Sequence, residues 1–107
     1  MKLAIMQPYF CAYIGYYQLI DAADLFVLYD NIEYTKRGWF NRNRILLNGT
    51  DRLFTIPIRK DSDYLNVNQR YLAKNSEKSR KKILSRIAHA YRKAPYFSEV
   101  YGFVEAL

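Results

Sequence analysis

Residues 3–29 constrain the fold more than any other stretch of the chain. Leu3 to Met6 is short and wholly apolar, the pattern of a strand covered on both faces. Gln7-Pro8 ends it, because proline removes an amide donor and pushes the preceding residue toward extended backbone. Tyr9 to Ala12 forms a loop, and a helix is predicted from about Tyr13 to Ala23. Its residues Ile14, Tyr17, Leu19 and Ile20 offer an apolar stripe to a sheet. Gly15 falls in the first turn, where glycine weakens a helix, so a close approach of another group is expected there. Leu25 to Tyr29 is a second apolar strand. Strand, helix and strand in this order make a right-handed βαβ unit with parallel strands.

Such a unit binds ligands beyond the carboxyl ends of its strands. Gln7, Tyr9, Tyr13, Gly15 and Tyr16 fall at that rim: a polar amide, aromatic walls and a helix start. Asp30-Asn31 follows the second strand on the same edge. The next segment adds Lys36, Arg37, Trp39, Asn41, Arg42 and Arg44. Arginine and lysine clamp phosphate or carboxylate, and Asp30 can accept a hydroxyl or act as a base. The alternative for both sets is plain structure: a tight turn packed around Gly15, and a solvated loop anchored by Trp39. Within the second set, Arg37, Asn41 and Arg42 are the stronger ligand candidates.

Beyond this unit, Arg44 to Leu47 and Leu53 to Ile58 flank Asn48-Gly49-Thr50-Asp51. Asn-Gly between apolar runs is the strongest short signal for a β-hairpin, and Pro57 limits its second strand. Leu65 to Tyr71 alternates in the manner of a short strand. Asn75 or Ser76 caps a helix reaching about Lys93, with Ile83, Leu84, Ile87, Ala88 and Tyr91 on one face. Pro95 stops it, and Ser98 is the expected cap of a last helix through Val100, Tyr101, Val104 and Leu107.

The chain has 107 residues and a formal charge of +7. That length suits one domain, and the charge favours an anionic partner. The basic helix face of Lys78, Arg80, Lys81, Lys82, Arg86, Arg92 and Lys93 carries no nucleic-acid motif, so a solvated face is expected over nucleic-acid binding. The single cysteine, Cys11, forbids an intrachain disulfide and fits a reducing, cytoplasmic setting. Near a helix start its thiol would be acidified, but no histidine is placed beside it in sequence to act as base. His89, the one histidine, has no partner at metal-ligand spacing, so neither a metal site nor a cofactor is expected. No run is long and apolar enough to span a membrane.

Met6-Gln7-Pro8-Tyr9-Phe10, Tyr13-Ile14-Gly15-Tyr16 and Gln18-Leu19-Ile20 resemble the opening of the WbqC-like family. The likeness continues through Asp24 to Asp30, Lys36 to Trp39, Asn41 to Ile45, Phe54 to Pro57 and Tyr91 to Phe97. It departs at Cys11-Ala12, where the family has an aromatic or aliphatic residue and then proline. That departure argues against Cys11 as a family nucleophile. The resemblance implies a role in bacterial surface-polysaccharide synthesis rather than a defined reaction. Members are about twice this length, so the chain is expected to be truncated, as its ending within an amphipathic pattern also suggests. Apolar faces left open that way would favour a homo-oligomer.

A remoter likeness concerns adenylyl-transferring enzymes of the HIGH type, which place His-x-Gly-His at a helix start after a strand and turn. Tyr13-Ile14-Gly15-Tyr16 is similar in position. Both histidines are tyrosines here, and tyrosine is a poor cation near neutral pH. The likeness therefore implies the fold and not the reaction. The expected architecture is α/β: a Rossmann-like, nucleotidyltransferase-like parallel sheet flanked by helices, with a β-hairpin insertion. The expected ligand is a nucleotide, nucleotide sugar or acyl carrier used in a transferase step. The alternatives are a basic, non-enzymatic module binding nucleic acid or a protein, and a truncated member without activity.

Overall fold

Leu3–Met6 (β1), Ile14–Ala22 (α1) and Leu25–Leu28 (β2) form the βαβ unit in the structure, a computed structural model describing residues 1–107. The strands are parallel, with Leu3 beside Leu25, Ala4 beside Phe26, Ile5 beside Val27 and Met6 beside Leu28. Ala4 and Phe26 share the face that meets α1, and Tyr16 of the helix packs edge-on to Phe26 at 5.6 Å. The other face differs from the expectation of a strand covered on both sides. Leu3, Ile5, Leu25 and Val27 point away from α1 and are 53, 55, 50 and 38% exposed. The sheet has only these two strands, so a single helix covers only one face.

The predicted stripe on α1 is also corrected. Tyr16 is the one buried residue of the helix, whereas Ile14, Tyr17, Leu19 and Ile20 are all exposed. The helix is apolar around most of its circumference, and periodicity alone cannot say which side docks.

Arg42–Leu47 (β3) and Thr50–Thr55 (β4) form the hairpin, paired from Arg42 opposite Thr55 to Leu47 opposite Thr50. Asn48 and Gly49 turn the chain with φ of 52° and 76°. Positive φ at both central residues is the turn whose twist matches the strands, and Asn-Gly supplies it at least strain. β4 stops at Thr55, two residues before Pro57. A long helix, Ser76–Tyr91 (α2), lays Ile83 against Ile45 and Phe54 to make the main core. Phe10, Ile56, Ile87 and Ala90 pack around these three. The Tyr91 hydroxyl accepts the Leu46 N–H at 3.0 Å, which ties the end of α2 to the outer edge of β3.

Two other expectations are corrected. Residues 65–71 do not form a strand; Val67–Gln69 is one turn of 3₁₀ helix. The Gln69 side chain accepts the Asn66 N–H at 2.9 Å, so a local capping bond outcompetes the sheet ladder. Only single bridges, Glu33 to Asn66 and Ile58 to Leu72, remain of the extended pattern. The last helix, Phe97–Ala106 (α3), starts from Tyr96 at φ 62° rather than from Ser98. The fold is thus mixed α/β, with one parallel pair, one antiparallel hairpin and helices on part of each.

Candidate functional site

Gln7-Pro8 at the end of β1 releases the chain into a loop that three contacts fix in place. The Tyr16 hydroxyl donates to the Gln7 carbonyl at 2.7 Å. The Phe10 N–H donates to the Trp39 carbonyl at 3.3 Å. Asn43 Nδ2 donates to the carbonyls of Phe10, at 2.8 Å, and Cys11, at 2.6 Å. Cys11 adopts φ 49°, a strained value for a residue with a Cβ, and the Asn43 clasp holds it there. Asn43 was legible only as one of several polar residues before the hairpin. Nothing in its type announces a bond to a loop more than thirty residues away.

The first candidate set therefore divides. Tyr16 is a buried anchor: its ring meets Tyr9 at 5.7 Å and Tyr17 at 6.2 Å. Burial, and then the neighbouring Tyr9 and Tyr17, push its hydroxyl above the usual range. Gly15 does have a close neighbour, the ring of Tyr13; a Cβ on Gly15 would meet Tyr13 Cε2. Tyr13 is otherwise 72% exposed. Tyr9 is half-buried and bridges Tyr16 to Phe40 at 6.4 Å. Gln7, Tyr9 and Tyr13 thus border the loop, while Tyr16 and Gly15 build it. Burial also raises the Cys11 thiol, the opposite of the acidified thiol that a helix start would give.

In the second set, Arg42 Nε donates to the Gly38 carbonyl at 2.9 Å, and its Nη2 donates to the Arg37 carbonyl. Trp39 lies under the guanidinium groups of Arg42 at 5.3 Å and Arg44 at 5.8 Å. Arg37 is exposed beside them. The Phe10–Trp39 bond brings this basic loop against the 7–13 loop, so Gln7, Tyr9, Arg37 and Arg42 belong to neighbouring loops. Asn41 belongs elsewhere. Its Nδ2 donates to the Ile56 carbonyl at 2.8 Å, and its Oδ1 accepts the Tyr34 hydroxyl at 2.9 Å. Asp30 is tied to the 3₁₀ turn, its carbonyl accepting the Asn68 N–H at 3.0 Å.

Two concavities flank these loops. A shallow hollow of about 180 Å³ lies between Tyr9, Tyr16, Tyr17, Ile20, Phe26 and Leu28. A larger groove of about 440 Å³ runs between the hairpin, α2, α3 and the 3₁₀ segment, with Asn41, Tyr34 and Arg70 in its wall. Ligand sites for small molecules span about 300–1,000 Å³, so only the groove reaches that range. Sequence reasoning missed Arg70, because the alternating pattern of 65–71 suggested only a strand, and Tyr34, which was one more aromatic residue in the polar segment before the hairpin. No cluster of three histidine, cysteine or acidic side chains is gathered as metal ligands would be. No helix is long and apolar enough to cross a membrane.

The sequence profile of the WbqC-like protein family matches residues 7–107. The chain belongs to the WbqC-like family. The matched span takes in both candidate loops, the hairpin and all three helices. A relative from Mycobacterium tuberculosis (strain ATCC 25618 / H37Rv), the uncharacterized protein Rv1507c, is 41% identical over 58 residues. The match spans 54% of this chain and 25% of that relative's length. No solved structure is significantly similar to this WbqC-like chain.

Proposed function

We propose that this WbqC-like chain binds a nucleotide-activated or phosphorylated small molecule and serves a transferase step in bacterial surface-polysaccharide synthesis. The observation that carries the reading is the junction of the 7–13 and 36–44 loops. The Phe10–Trp39 hydrogen bond and the Asn43 clasp join the loop after β1 to the segment that bears Arg37 and, at the start of β3, Arg42. A polar amide, two tyrosines and two guanidinium groups then lie on neighbouring loops near the carboxyl end of a parallel pair, where α/β folds take anionic ligands. The βαβ unit is the smallest part of a Rossmann-like, nucleotidyltransferase-like sheet, which further strands would extend. The net charge of +7 supports an anionic ligand, and the WbqC-like resemblance, which implies surface-polysaccharide synthesis, supports the pathway.

Isothermal titration of the full-length protein against nucleotides, nucleotide sugars and acyl carriers tests this reading. Saturable binding is expected, weakening as salt rises. Gln7→Ala combined with Arg42→Ala should weaken it by about tenfold or more, the loss of a charge-assisted contact. Absence of binding to every class, or affinity unchanged in the double variant, overturns it.

A further inference from the structure

The groove between the hairpin and α2 combines an apolar channel with one guanidinium that lacks a carboxylate. Its walls include Ile56, Ile58, Ile83, Leu84, Ile87 and Val104. Two arginines reach it. Arg80 is already matched: Nη1 lies 3.5 Å from Glu77 Oε1, and Nη2 donates to the Glu105 carbonyl. Arg70 is not. Its guanidinium stacks on the Tyr34 ring at 4.7 Å, and Nη2 makes only a long bond of 3.4 Å to the Leu65 carbonyl. Its Nε is buried with no acceptor. Asp61 and Asp63, the two carboxylates that feel the Arg70 charge, are paired with Arg59 at 3.3 Å and Lys36 at 2.7 Å. Buried guanidinium donors are normally satisfied, and one left without an acceptor at the edge of an apolar groove points to an acceptor from outside the chain.

The groove is also the wrong shape of environment for a nucleotide alone. Most of its lining is aliphatic, and its polar side chains are largely committed within the chain: the Tyr34 hydroxyl donates to Asn41, the Asn41 amide to the Ile56 carbonyl, and Arg80 meets Glu77, which leaves the Arg70 guanidinium without a carboxylate partner. We propose that this groove binds a single-tailed amphipathic anion, the carboxylate or phosphate head against Arg70 and the alkyl chain along Ile56, Ile83, Leu84 and Ile87. Charge complementarity selects the head: Arg70 supplies a planar fork matched to either oxyanion, and it rejects a cation. The aliphatic walls select the tail, whose burial supplies most of the affinity. This goes beyond the reading of the loop face, because it uses none of Gln7, Arg37 or Arg42, and each can fail without the other.

The test titrates the full-length protein, below micelle-forming concentrations, with dodecanoate, dodecyl phosphate, dodecanol and dodecyltrimethylammonium. Expected is 1:1 binding of the two anions, about tenfold or more tighter than the alcohol or the cation. Shortening the chain should weaken binding about two- to fourfold per methylene. Whichever anion binds more tightly identifies the head group as a fatty carboxylate or a phosphate monoester. Arg70→Met should bring the anions down to the affinity of dodecanol while leaving dodecanol itself unchanged. Methyl resonances of Ile83, Leu84 and Ile87 in the unsubstituted protein should shift on binding, so the result stands even if the variant fails to fold. No saturable binding, equal affinity for all four head groups, anion affinity unchanged in Arg70→Met, or shifts confined elsewhere would each overturn the proposal.

Discussion

Tyr16 shows how one side chain holds the β1–α1 junction. Its ring packs edge-on to Phe26, and its hydroxyl donates to the Gln7 carbonyl that β1 leaves behind. Tyr16→Phe keeps the ring and removes the bond. It should lower stability by about 1 kcal/mol, the net worth of one partly buried hydrogen bond. Tyr16→Ala removes the ring as well and should lower stability by about 3–5 kcal/mol. Denaturant titration of both variants checks this; no loss in Tyr16→Phe would show that the hydroxyl contributes nothing, and equal losses in the two would show that the ring adds nothing. Cys11 gives a second residue-scale prediction. Burial raises its thiol above the usual 9.0, so the protonated form is favoured in the folded state. The corresponding stability is fully present below the unfolded thiol range. It is lost as pH rises through the folded value, because the unfolded chain releases its proton first. Alkylation by iodoacetamide near pH 8 should be slower than for free cysteine, and Cys11→Ser should flatten the alkaline fall in stability. Alkylation as fast as in the unfolded chain would contradict the assignment.

At the scale of elements, the hairpin was the most legible part of the chain. Asn48-Gly49 fixes the turn chemistry, and turn chemistry fixes register, so the pairing follows from two residues. Gly49 at φ 76° has open space around it, so Gly49→Ala meets no clash and loses only its backbone freedom. The expected destabilisation is about 1–2 kcal/mol, read by thermal or chemical unfolding. An unchanged midpoint would mean that the turn does not hold this geometry in solution. The apolar face of α2 was legible in part: Ile83 and Ile87 repeat at the helical period and do meet the hairpin core, whereas Leu84 lines the groove. The misread elements share a physical cause. In 65–71 an alternating pattern lost to a side-chain bond between Gln69 and Asn66, a local choice that periodicity does not weigh. In α1 nearly every face was apolar, so the pattern predicted a helix without its orientation. The candidate site suffered from the same limit. Tyrosine and asparagine invite ligand readings, yet Tyr16 and Asn41 direct their polar atoms to Gln7, Ile56 and Tyr34. Whether a polar atom is satisfied by its own chain depends on contacts that only the fold reveals.

The whole molecule exposes more surface than a monomer of its mass normally does. Its accessible area is 8348 Å², against about 6,300 Å² expected for 12.8 kDa. Its radius of gyration is 15.4 Å, against about 13 Å for a compact chain of this length. Part of the excess is the bare face of the parallel pair, where Leu3, Ile5, Leu25 and Val27 form a continuous aliphatic patch. Parallel strands are ordinarily covered on both faces, and a stable interface buries about 800 Å² from each partner, well within the excess. We propose that the isolated 107-residue chain self-associates through this face. Two forces act on that equilibrium in opposite directions. Burial of the patch favours association, while a charge of +7 on each copy opposes it at low ionic strength. Added salt screens the repulsion and leaves the apolar contact intact, so the association should strengthen as salt rises. An interface built on ion pairs would weaken instead, which makes the sign of the salt effect diagnostic. Ile5→Lys with Val27→Lys places two cations on the patch and should yield a monomer. Because both positions already face solvent, its unfolding midpoint as a monomer should move little. Sedimentation velocity over a range of protein and salt concentrations reads both effects. A monomer throughout, or a complex that salt dissolves, would place the self-association elsewhere or remove it.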